Sequence, residues 1–141
     1  MWARIFVIVG YPEYTETGIF NAADVYLGDK RLAKYRKQKL PNYGVFDEER
    51  HFAQGDKTCV FELAGLTVGL TIFVDIWEPG PTADVAKPGA SLLVNINASP
   101  FHETKHALRN EILAEPAKEP GPSIVLPFST SPIPLHLTYT P

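Results

Sequence analysis

Two runs rich in β-branched and apolar residues, TCVFEL (58–63) and TVGLTIFV (67–74), are separated only by Ala64-Gly65-Leu66. So short a connection returns the second strand antiparallel beside the first, and the region reads as a hairpin. The same grammar occurs upstream, where NAADVYL (21–27) and RLAKYRK (31–37) flank Gly28-Asp29-Lys30. RIFVIV (4–9) and SLLVNIN (91–97) also read as strands. The first is unbroken in its apolar character, which suits a strand buried on both faces.

Helical signals are sparser. PTADVAK (81–87) fits a short helix with Thr82 as its cap. HETKHALRNEILAE (102–115) places Ala107, Leu108, Glu111, Ile112 and Glu115 at helical spacings, with a narrow apolar face. KLPNYGVFDEERHF (39–52) is punctuated by Pro41, Asn42 and Gly44 and reads as a loop. Hairpins first, then strands alternating with helices, predict an α/β or α+β sandwich with a mixed sheet.

The composition breaks after residue 115. Seven of the 13 prolines fall in residues 116–141. Proline cannot donate to a sheet ladder and disrupts helices, so an irregular, proline-rich tail is expected there, after a domain spanning 1–115. A proline-rich linker or ligand segment is the alternative, although no PxxP repeat occurs.

The chain has 141 residues, enough for one ordinary domain. Its net charge is −3 with basic residues spread among acids, so no footprint for nucleic acid or an anionic membrane stands out. The apolar run near the start is too short to span a bilayer and lacks a small-residue cleavage site. The single cysteine, Cys59, excludes an internal disulfide and is compatible with a reducing cytoplasm, the expected location.

Few residues suggest chemistry by themselves. Lys37, at a strand end beside a Gly/Pro loop, could stabilise an oxyanion. With Lys34, Arg36 and Lys39 nearby, a solvated strand end is the plainer reading. The acidic run Asp47, Glu48 and Glu49 could supply a general base or simply face water. Asp75, directly after a buried strand, suits a carboxylate that bonds backbone N–H groups of a turn. Cys59 in TCVFEL reads as a small buried hydrophobe rather than a reactive thiolate. Of the four histidines only His102 and His106 share helical spacing, without the glutamate of a metalloprotease pattern. No metal site, phosphate loop or cofactor is expected.

Three longer segments are more specific. KYRKQKLPNYGVFDEERHFAQGD, GLTIFVDIWEPGP and LLVNINASPFHETKHALRNEIL, in that order, resemble the nitrilase superfamily of carbon–nitrogen hydrolases. Within it they are most similar to the N-terminal glutamine-amidase domain of glutamine-dependent NAD+ synthetases. The resemblance runs from residue 5 to residue 115. It implies a partial αββα nitrilase-like sandwich with a mixed sheet. It also implies a Glu-Lys-Cys triad, in which glutamate activates the thiol, the thiolate attacks the glutamine side-chain amide, and lysine stabilises the tetrahedral intermediate.

Carried over residue by residue, Lys37 falls on the lysine, while Tyr43, Ser99 and Lys105 fall on positions that hold glutamine. The nucleophile falls on Phe73. The family run is Cys-Glu-Asp-Ile-Trp, and this chain has Phe73-Val74-Asp75-Ile76-Trp77. The family glutamate belongs to a Phe-Pro-Glu segment upstream of the region where this chain starts, and Glu13 falls on a later segment. The resemblance thus implies a truncated amidase domain without glutaminase activity. Glutamine would be the family substrate, a synthetase domain or full-length synthetase the partner, and a homo-oligomer the family assembly. The alternatives are a non-catalytic binding or regulatory module that pairs with a full-length synthetase, or a nitrilase-like amidase acting on another small amide.

Overall fold

Both hairpins form, and each seeds a separate sheet. The computed structural model describes residues 5–44, 46–78, 80–97, 123–128 and 136–139, the last four residues and 126–128 by their backbone. Strands β1 (Phe6–Thr15), β2 (Gly18–Leu27) and β3 (Lys30–Arg36) make an antiparallel sheet in the order β1-β2-β3. Strands β4 (Cys59–Leu63), β5 (Leu66–Ile72), β6 (Leu92–Ile96), β7 (Ser123–Phe128) and β8 (His136–Tyr139) make the second, in sequence order. β4–β5 and β7–β8 are antiparallel, whereas β5–β6 and β6–β7 are parallel, so this sheet is mixed.

The β4–β5 connection is two residues rather than three. Ala64 and Gly65 both have positive φ, 51° and 85°, as a two-residue type I′ hairpin turn requires. Leu66 therefore already belongs to β5.

Strand alternation assigns the faces. Ala23, Val25 and Tyr35 of the first sheet pack against Cys59, Phe61, Val68, Leu70 and Ile72 of the second in one core. The intervening Gly69 and Thr71 face the other way. Parallel pairing of β5 with β6 needs a crossover, and the segment holding the six-residue helix Pro81–Ala86 supplies it on that outer face. Its Val85 is buried with Leu93, and a Cβ on Gly69 would lie 1.9 Å from Val85 Cγ1. Glycine is what lets the helix sit this close. Sheet, sheet and outer helix are successive layers of the expected mixed-sheet α/β sandwich.

Three further expectations change. β1 is not buried on both faces: Ile5, Val7 and Val9 are 71%, 47% and 44% exposed. It is an edge strand whose outward face points away from the second sheet. Thr82 is not the helix cap. Gly80 holds that position and Pro81 opens the helix, where its missing N–H is harmless. The Thr82 hydroxyl instead donates to the carbonyls of Asp75 and Ile76, at 3.1 and 3.4 Å. Finally, the proline-rich tail is not wholly irregular, since it contributes β7 and β8. Only Ser123–Val125 pair with β6, so Pro127 lies beyond that ladder, where proline is tolerated. The helix expected over 102–115 lies outside the described residues.

Candidate functional site

Alternation along β3 turns Tyr35 and Lys37 inward and Lys34 and Arg36 outward. Lys37 lies just past the strand end. Its N–H donates to the Asn21 carbonyl at 2.8 Å, and its own carbonyl accepts from the Gly55 N–H at 2.8 Å. Its side chain is 1% exposed, so the solvated strand end expected for it is not what forms.

A buried ammonium requires a partner. The loop after β3 doubles back to provide one: Phe46 N–H donates to the Tyr43 carbonyl and Glu48 N–H to the Pro41 carbonyl, both at 3.1 Å. Glu48 then opens the short helix α1 (Glu48–His51), and both its carboxylate oxygens lie 2.6 Å from Lys37 Nζ. The acidic run is thereby divided. Asp47 pairs with the exposed Arg50 at 2.8 Å, and Glu49 accepts from Asn42 Nδ2 at 3.2 Å.

Opposite Lys37, β5 stops at Ile72 and the chain turns sharply through a 3₁₀ segment, Phe73–Ile76. Phe73 has φ +49°. A bulky residue in the left-handed region is strained by roughly 1–3 kcal/mol, a strain that surrounding contacts must hold. Asn95 Nδ2 donates to the Phe73 carbonyl at 3.1 Å and to Thr71 Oγ1 at 2.9 Å. Asp75, fully buried, accepts from the Tyr35 hydroxyl at 2.8 Å, from Lys39 N–H at 2.7 Å and from Ile72 N–H at 3.3 Å. The turn-bonding carboxylate read from the sequence is thus in place. Burial raises the Asp75 carboxyl above the ordinary carboxylate range, and the donated hydrogen bonds oppose that shift. Burial, then the Asp75 charge, raises the Tyr35 phenol.

The Phe73 ring occupies the space in front of the ammonium. Its centroid is 5.0 Å from Lys37 Nζ and 5.2 Å from the Phe46 ring. Phe46 in turn meets Tyr43 edge-on at 6.0 Å. Beside this cluster lies an open cavity of about 680 Å³, whose walls include Gln38, Lys39, Asn42, Tyr43, Val74 and Glu78. Tyr43 is 64% exposed at its rim. Ser99 and Lys105 lie outside the described residues, as do His102 and His106.

Two other candidates sit elsewhere. Cys59 is in the inter-sheet core, where burial pushes its thiol up to about 11. A thiol so shifted is a packed hydrophobe and not a nucleophile. Glu13 pairs with Lys34 and with Arg36, the latter at 2.7 Å, on the outward face of the first sheet. The Arg36 hydrogen bond, aided by Lys34, lowers its carboxyl to about 2.

Three participants escaped the sequence reading. Glu48 was one of three adjacent acids, with no spacing signal to single it out as the lysine's partner. Phe46 and Asn95 reach the turn only through tertiary contacts. Among the described residues no three His, Cys, Asp or Glu side chains cluster to hold a metal, and no helix is long and apolar enough to cross a membrane.

Chemically, a buried ammonium beside a sharp strand-end turn can stabilise an oxyanion without reorganisation. The phenylalanine on the turn offers no atom that could attack a carbonyl.

The family model described as carbon–nitrogen hydrolase matches residues 3–116. A glutamine-dependent NAD(+) synthetase of Xylella fastidiosa is 41% identical over 122 residues, covering 85% of this chain and 22% of that protein. One from Thermotoga maritima is 41% identical over 110 residues, covering 77% of this chain and 19% of that protein. The chain thus spans about a fifth of the length of these relatives. Among solved structures, the glutamine-dependent NAD+ synthetase of Acinetobacter baumannii, in complex with ADP, superposes with a TM-score of 0.84 at 32% identity. The match covers 89% of this chain and 24% of that one. An amidase of the nitrilase superfamily from Nesterenkonia superposes at 0.76 with 23% identity over 94% of this chain and 50% of its own, a likeness of fold.

Proposed function

We propose, from the premise that this chain belongs to the carbon–nitrogen hydrolase family, that it is a segment of a glutamine-amidase domain of the NAD+ synthetase kind and has lost the nucleophile of that chemistry. The observation that carries this reading is Phe73. It stands on the strained turn, at φ +49°, with its ring 5.0 Å from the buried Lys37 ammonium. The scaffold for oxyanion stabilisation is kept, and the group that would create the oxyanion is a hydrocarbon.

In this reading Lys37 is the inherited oxyanion group, held by Glu48. Tyr43, at the cavity rim, together with Ser99 and Lys105, would contact the glutamine. No other described side chain offers a replacement nucleophile or an uncommitted base. Cys59 is a core residue with a raised pKa, Glu13 is committed to Lys34 and Arg36, and Glu48 to Lys37.

The test is ammonia release from glutamine by the purified 141-residue chain. No release above the buffer rate is expected. Phe73→Cys restores a thiol but not a base, and it too is expected to remain inactive. Turnover by the unmodified chain overturns the reading, and turnover by Phe73→Cys alone overturns the claim that no base is at hand.

The open cavity favours a second reading, a module that binds glutamine without hydrolysing it. Calorimetric titration with glutamine separates the two. Saturable heat that Tyr43→Ala weakens supports binding, and the absence of heat leaves only the inactive segment.

A further inference from the structure

We propose that Asp75 is a positioning residue that fixes the distance between the Lys37 ammonium and whatever side chain occupies position 73; this rests on the reading of those two positions given above. The carboxylate lies two residues after Phe73 and is fully buried. It accepts hydrogen bonds from both sides of Lys37 in sequence: the Tyr35 hydroxyl at 2.8 Å and the Lys39 N–H at 2.7 Å. The oxygen that accepts from Tyr35 also takes the Ile72 N–H, at 3.3 Å, one residue before Phe73. One side chain therefore bridges the lysine-bearing segment of the first sheet and the turn at the end of a strand in the second.

The bridge is specific to a carboxylate. Its two oxygens accept three donors. Asparagine keeps one acceptor oxygen and turns an NH2 toward at least one of those donors. The bridge is also independent of the Lys37–Glu48 pair, because Glu48 bonds the ammonium and none of the three Asp75 donors. Charge at the tip of Lys37 and position of its backbone thus have different keepers. Thr82, donating to the Asp75 carbonyl at 3.1 Å, ties the outer helix to the same residue.

A thiol placed at position 73 is the probe. In the Phe73→Cys chain, the pH dependence of iodoacetamide labelling at that cysteine, followed by peptide mass spectrometry, reports its pKa. Cys59 serves as an internal unreactive control, since burial in the inter-sheet core pushes its thiol up to about 11. Lys37→Met in that chain is expected to raise the position-73 pKa by about one pH unit, the effect of losing a nearby cation. The same comparison is repeated with Asp75→Asn. Comparing the lysine's effect in the two backgrounds cancels the direct influence of the Asp75 charge on the thiol. The lysine effect is expected to fall by more than half. Tyr35→Phe, which keeps the carboxylate and the Lys39 bond, is expected to reduce it partially. It also decides the matter if Asp75→Asn does not fold.

A lysine effect unchanged by Asp75→Asn or Tyr35→Phe in a folded chain overturns the positioning role and leaves the functional reading intact. A position-73 thiol indifferent to Lys37→Met even with Asp75 present overturns both.

Discussion

Both carboxylate oxygens of Glu48 lie 2.6 Å from the Lys37 ammonium, and the lysine side chain is 1% exposed against 18% for the glutamate. The pair is therefore asymmetric. Removing the glutamate strands a cation with no path to water, whereas removing the lysine leaves a carboxylate that can still be hydrated. Glu48→Gln should destabilise the chain by about 3 kcal/mol, the cost of an uncompensated buried charge. Lys37→Met should cost distinctly less, and the double variant less than the sum of the two. Urea unfolding of the three variants checks this. Equal costs for the two single variants would show that Lys37 reaches solvent.

Glu13 makes a pH prediction. Its carboxyl falls to about 2 in the folded chain from an ordinary 4.5, chiefly through the Arg36 hydrogen bond. A depressed carboxyl contributes stability that is fully present above the unfolded pKa and is lost as pH falls through the folded one. That contribution should therefore fade between pH 4.5 and about 2. Glu13→Gln should flatten the pH dependence of the unfolding free energy in this window and leave its slope above pH 6 unchanged. An identical acid limb in the variant would mean that the ion pairs with Lys34 and Arg36 contribute nothing.

Cys59 makes the opposite prediction at alkaline pH. Burial raises its thiol from 9.0 to about 11, so the folded chain keeps a proton that the unfolded chain gives up. Stability should fall as pH rises from 9 toward about 11 and then level, for this group. Cys59→Ala should remove that slope. The native thiol should also resist iodoacetamide at pH 8 and react once the chain is unfolded in urea. Rapid labelling of the native chain would place Cys59 outside the core.

These contrasts show where sequence reading succeeds in this chain. The hairpins were legible because turn chemistry and strand alternation act over a few residues. Asp75 was legible for the same reason, since one of its partners, Ile72, is three residues away. Lys37 is different. Its neighbours Lys34, Arg36 and Lys39 suggested water, yet its burial depends on a loop that returns Glu48 to it eleven residues later. The two faces of β1 depend on what stacks against each, which an apolar run does not disclose. The tail misled because proline content is an average, and β7 needs only three residues, Ser123–Val125, to join the sheet.

Gly69 links the packing of the outer helix to the candidate site. A Cβ built there would lie 1.9 Å from Val85 Cγ1 and 3.3 Å from Leu93 Cδ1. The β-branched Val85 has little rotamer freedom with which to withdraw, so the helix Pro81–Ala86 must move outward instead. Gly69→Ala should cost about 1–3 kcal/mol, the range for overpacking a filled core. Val85→Ala removes the offending methyl, so the Gly69→Ala/Val85→Ala chain should be more stable than Gly69→Ala alone, although Val85→Ala by itself destabilises. Thermal unfolding of the three variants tests this. The helix also holds the turn through Thr82 and the Asp75 carbonyl. The steric effect should therefore spread to position 73: in the Phe73→Cys chain, Gly69→Ala should weaken the influence of Lys37 on the thiol, and Val85→Ala should restore it. If the Lys37 influence survives Gly69→Ala while stability drops, the helix packs on the sheet without steadying the turn.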